Sequence, residues 1–66
     1  MYSVIEIIGK DSTGWEYAAK NAINAASENL RDLRTAEVKE LDVKIDDGRI
    51  SLYRAKINLS FKDEKW

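Results

Sequence analysis

The chain contains no cysteine and no histidine. Without thiols it can close no disulfide and offers no thiolate to a metal. Without imidazole it lacks the commonest transition-metal ligand and the usual general base near neutral pH. Ser-His-Asp and Cys-His catalysis are excluded with them. The three glycines, Gly9, Gly14 and Gly48, stand apart from one another, so no phosphate-cradling glycine loop exists. Their isolation fits two loops and a turn. No apolar run approaches the ~20 residues of a membrane span. The N-terminus lacks the charged-then-apolar layout of a secretion signal. Acidic and basic residues nearly balance, to a net charge of −1, with no basic block or stripe. Neither a nucleic acid nor a membrane is therefore expected as a partner, and the cytoplasm is the expected compartment.

What is present is short and apolar in pattern. Sixty-six residues make one domain, taken as residues 1–66. A chain this size buries only about 60% of the surface its unfolded form exposes. Domains so small usually need a staple: disulfides, a structural metal or partner subunits. With thiols and imidazoles gone, the remaining staple is association with further copies of the chain.

Residues 2–9, YSVIEIIG, carry Val4, Ile5, Ile7 and Ile8 on both faces of an expected strand. A strand apolar on both faces must be covered on both, and one helix covers only one. Residues 10–13 are polar and turn-like. Thr13 with Glu16 fits a capping box, with Ser12 as a competing cap. A helix then runs from about Gly14 to Leu30 or Arg31. Its apolar stripe is Trp15, Ala18, Ala19, Ala22, Ile23, Ala26 and Leu30, and its alanines allow close approach to a sheet.

Residues 34–46 read as a second strand. Ala36 and Val38 alternate in one phase, and Leu41, Val43 and Ile45 in the other. One extra residue near Lys39–Glu40 produces such a shift, so a β-bulge is expected there. Asp46-Asp47-Gly48-Arg49 is a tight hairpin signal. A third strand follows over 49–62, with Tyr53, Ala55, Ile57, Leu59 and Phe61 on one face and Ile50 and Leu52 out of phase. The order is β-α-β-β. An antiparallel sheet in the order 1-3-2, curved around one helix, follows: an α+β fold. The opposite face of the sheet carries Glu37, Arg54, Lys56, Asn58 and Ser60.

Few residues suggest chemistry. Glu37 with Glu40, or Asp42 with Asp46, could pair as carboxylates, but acid–base hydrolysis needs a deep cleft as well, so no enzyme is expected. Asp46-Asp47-Gly48 and Asp11-Ser12-Thr13 offer calcium its preferred oxygens, yet turn and cap chemistry already explain both. Arg54, in the central strand, is expected to meet Glu37, Glu40 or Asp42 across the sheet, or to face a ligand at a subunit junction. Trp15 reads as a core or interface anchor, and Trp66 as a residue that is disordered or packs on a neighbour.

The ordered set of Tyr2–Gly9, Trp15-Glu16-Tyr17-Ala18-Ala19 with Ala22, Leu30–Leu33, Glu37–Glu40 and Tyr53–Ile57 through Phe61 resembles the dodecin family over essentially the whole chain. The resemblance implies a homododecameric hollow shell that stores or sequesters flavin (riboflavin or FMN) without catalysis. It further implies a flavin ring stacked by a tryptophan just before the Phe-Glu-Val opening of strand two and hydrogen-bonded by a glutamine in strand three. Here those positions are Thr35, followed by Ala36 and Glu37, and Arg54. Threonine has no π face, and arginine only donates. Thr35, Glu37 and Arg54 are thus the candidate ligand-binding residues of an altered site. The chain is similar to a divergent branch described as calcium-binding dodecins, and the resemblance assigns no calcium ligand. The expectation is a non-enzymatic, dodecin-like homo-oligomer with a small-ligand binding or storage role, with flavin or calcium as the alternatives.

Overall fold

A computed structural model describes residues 2–62. Four elements follow one another: β1 (Tyr2–Asp11), α1 (Trp15–Ser27), β2 (Leu33–Asp46) and β3 (Arg49–Lys62). The sheet is antiparallel in the order β1-β3-β2, as the hairpin and the helical crossover require. Trp66 lies outside the described residues.

Pairing alternates the side chains of β3 between two faces. Ala55, Ile57 and Leu59 turn to α1 and are buried, together with Ala18 and Ala22 of the helix. Ile57 and Leu59 are the largest fully buried side chains. Burying each contributes about 1.5–3 kcal/mol. Gly9, the last residue of the expected strand and read also as a loop glycine, sits within β1 opposite Ala55 and directly beneath the helix. A Cβ there would come 2.8 Å from the Ala22 Cβ and closer still to the Ala18 carbonyl. The small residues on the helix and this glycine are what let α1 lie so close.

The bulges explain the phase changes. Val38 pairs with Ile57 and Glu40 with Lys56, which leaves Lys39 as the extra residue of β2. Lys44 pairs with Leu52 and Ile45 with Ile50, which leaves Ser51 extra in β3. A further shift falls at Arg34. The bulges place Ala36, Val38, Leu41, Val43 and Ile45 all on the helix side of the sheet. Asp47 (φ 52°) and Gly48 (φ 74°) are both left-handed, the backbone a two-residue type I′ turn demands.

Both helix ends differ from expectation. Thr13 does not cap the helix: Gly14 is the N-cap, with no side-chain cap hydrogen bond. The Asp11 carboxylate accepts from the backbone N–H groups of Thr13 (2.8 Å) and Gly14 (3.3 Å) and from the Thr13 hydroxyl, which is therefore engaged as a donor. Lys10 and Asp11 extend β1 accordingly, pairing with Arg54 and Tyr53. At the other end, α1 stops at Ser27, short of Leu30. The Ser27 hydroxyl donates to the Asn24 carbonyl (2.8 Å), and Glu28 and Asn29 close with i→i−3 bonds. Such bonds tighten and end a helix where serine and asparagine compete for its backbone.

The helix lies over β1 and β3 and scarcely touches β2. Val38, Leu41 and Ile45, though on the helix side, are 51%, 49% and 62% exposed. The molecule measures 52 × 19 × 13 Å, with a radius of gyration of 13.5 Å. A compact chain of this length would have about 11 Å. Its accessible surface is 5023 Å², against about 4,300 Å² for a typical monomer of this mass.

Candidate functional site

The face of the sheet turned away from α1 is ordered in transverse rows. Reading β1-β3-β2, these are Val4-Ser60-Thr35, Glu6-Asn58-Glu37, Ile8-Lys56-Glu40 and Lys10-Arg54-Asp42. Positions two residues apart on one strand are about 7 Å apart. Thr35, Glu37 and Arg54 therefore share this face, but in three different rows, and Thr35 lies roughly 20 Å along the strand from the Arg54 row.

Arg54 meets Asp42, one of its three expected partners. Its Nε and Nη2 donate to the two carboxylate oxygens at 2.7 and 2.8 Å, a bidentate pair. The guanidinium holds the Asp42 carboxyl below the ordinary carboxylate range, chiefly through that hydrogen bond, and the Arg54 pKa is raised in return. Lys56 pairs with Glu40 at 3.2 Å, and its pKa is raised for the same reason. Both pairs are solvent-exposed, so screening keeps their contribution to stability small.

Trp15 reaches this row from the helix side. Its Nε1–H donates to the Asp42 carbonyl at 3.0 Å, and its ring meets Tyr53 edge-on at 5.2 Å between centroids. Trp15 thus ties the start of α1 to β2, through the strand residue whose carboxylate holds Arg54. Asp11 is held below its ordinary pKa by the Thr13 hydroxyl first, then by backbone N–H groups and Asn21. Its oxygens are occupied by donors of the turn that leads into α1.

Arg54 belongs to a pocket of about 340 Å³ lined by Ile8, Lys10, Glu40, Asp42, Arg54 and Lys56. Thr35 and Glu37 are not among its walls. Sequence reasoning missed Ile8, Lys10 and Lys56 as lining residues. The signal was the register of β1 against β3, which no turn fixes because a helix intervenes. A second, more apolar groove of about 480 Å³ lies between β1 and the second half of α1. Among the described residues no group of three or more His, Cys, Asp or Glu side chains could hold a metal ion, and no helix is long and apolar enough to cross a membrane.

The helix laid over a β1-β3-β2 sheet with a long bulged hairpin is a fold found in solved dodecins. The structure of dodecin from Streptomyces coelicolor superposes with a TM-score of 0.96 at 32% identity, covering all of this chain and 94% of that one. The crystal structure of calcium dodecin from Mycobacterium tuberculosis, a calcium-chelating immunodominant antigen with a novel calcium-binding site, superposes with a TM-score of 0.87. It is 43% identical over 97% of this chain and 91% of that one. In sequence, the calcium dodecin of Mycobacterium tuberculosis is 42% identical over 62 residues, covering 94% of this chain and 87% of its own length. The dodecin family profile matches residues 1–64. The chain belongs to the dodecin family.

Proposed function

We propose that the chain is a subunit of a homododecameric, non-catalytic binding protein whose ligand is calcium in preference to flavin. The observation that carries the assembly is the helix-side face of β2, where Val38, Leu41 and Ile45 stand about half exposed beside a helix that does not cover them. Tyr2, Val4 and Ile8 add apolar surface on the opposite face. Exposed apolar area of this kind marks a subunit contact.

A flavin does not fit the family's usual positions here. Thr35 supplies no ring to stack on, and the Arg54 edge that could read a flavin is taken by Asp42. Calcium is favoured by the 42% identity to a calcium dodecin and by the Glu6-Asn58-Glu37 row, which offers two carboxylates and an amide oxygen. Calcium takes six to eight oxygens, so waters or a neighbouring subunit would complete the shell.

Native mass spectrometry at neutral pH should record twelve times the 7.6 kDa chain mass. A persistent single-copy species would overturn the assembly. Calcium should raise the thermal midpoint of chelator-treated protein, and Glu37→Gln should reduce that rise. A midpoint indifferent to calcium would remove the calcium assignment while leaving the assembly standing.

A further inference from the structure

The sheet is three strands wide only as far as the row Asp11-Tyr53-Val43. Beyond that row β2 and β3 continue alone, as a two-stranded arm of residues 44–52. The helix does not follow: α1 begins at Trp15, whose Nε1–H donates to the Asp42 carbonyl at the root of the arm. An isolated two-stranded hairpin is at best marginally stable in water. This one is pinned at both ends. The Asp47-Gly48 turn closes its tip, and the Ser51 hydroxyl donates to the Lys44 carbonyl at 3.2 Å across the bulge. The extra residue at Ser51 sets Ile50 directly opposite Ile45, and both are half exposed or more. The arm thus presents a pair of bulky apolar side chains well beyond the reach of α1.

The matching concavity lies at the other edge of the sheet. The groove of about 480 Å³ between edge strand β1 and the second half of α1 is lined by Ile5, Ile7, Ala25, Ala26 and Leu30, with no charged side chain in its walls. Knob and groove of one chain cannot meet. Ile45 lies about 10 Å beyond Asp42 along the strand, and Ala25 about 15 Å the opposite way along the helix from Trp15.

We propose that the 44–52 arm of one chain docks its Ile45–Ile50 pair in the β1–α1 groove of a second copy. This contact rests on the self-association proposed above, and it pairs two surfaces named there: the β2 ridge that ends in Ile45, and the β1 edge that carries Ile8. The arm is bulky where the alanines leave the groove wall small, so the side chains interdigitate. Neither Ile45, Ile50 nor the groove lining carries a charge, so closing the contact desolvates none. The second copy also supplies the covering layer that a two-stranded hairpin needs.

The chain has no cysteine, so introduced thiols report only on the positions chosen. Ile45→Cys combined with Ala25→Cys should be joined between chains by a short bismaleimide, and most of the protein should then run as covalent multimers under denaturing conditions. Ile45→Cys with Asn29→Cys, further along the same groove, should behave alike. Ile45→Cys with Tyr17→Cys, on the open side of the helix, should not, nor should Ile45→Cys alone. In the assembled protein, Ala25→Cys alone should react with a maleimide about tenfold or more slowly than in urea. Equal rates would mean an open groove and would overturn the proposal. So would cross-linking of Ile45→Cys alone, which sets arm against arm, or equal cross-linking through Tyr17→Cys. An assembled mass by native mass spectrometry, with no cross-link in either groove variant, would remove this contact and leave the assembly standing.

Discussion

Gly9 and the alanines above it set the distance between helix and sheet. Ala18, Ala22 and Ala55 are buried around it, and no space remains for one further carbon. Gly9→Ala must push α1 away from β1 or bend the strand. A loss of about 1–3 kcal/mol is expected, the usual cost of overpacking a filled interior. Urea unfolding of the assembled protein measures it, and an unchanged midpoint would mean the helix moves freely. Single residues were unevenly legible in the sequence. Arg54 announced itself as a cation in a central strand, and its partner was narrowed to three carboxylates. Choosing among them needed the count of extra residues in β2. Gly9 looked like a loop residue because composition does not reveal what passes over a glycine.

The β2–β3 hairpin is the element in which sequence and structure agree best. Its turn was written in Asp47-Gly48 and its bulge in the change of apolar phase around Lys39, because both are local. The ends of α1 were less legible. Thr13 has the chemistry of a cap, but Asp11 competes for its hydroxyl, and Ser27 competes for the backbone near the C-terminus. Across the hairpin, Asp42 and Arg54 make stability depend on pH. The Asp42 carboxyl is lowered from its ordinary value of 3.8. Its contribution is fully present above that value and is lost as pH falls through the lowered one. Asp42→Asn should therefore melt below the unaltered chain at pH 7. The gap should narrow as pH drops through about 4 and below. Thermal midpoints across pH 3–7 check this, and a gap that holds constant at low pH would place the stabilising charge elsewhere.

At the scale of the whole molecule, a narrow body 52 Å long encloses, among the described residues, a core of five buried apolar side chains. This shortage of interior follows from a chain of 66 residues. Which surface stays bare depends on α1 covering β1 and β3 while scarcely touching β2 beyond Trp15. In the assembly proposed above, a chain with so little interior of its own would hold part of its order on loan from its neighbours. Its melting temperature then becomes a function of how crowded the solution is, rising with protein concentration as association is favoured. Diluting the protein a hundredfold should lower the midpoint measurably, whereas a self-sufficient fold would melt at the same temperature in a dilute sample as in a concentrated one.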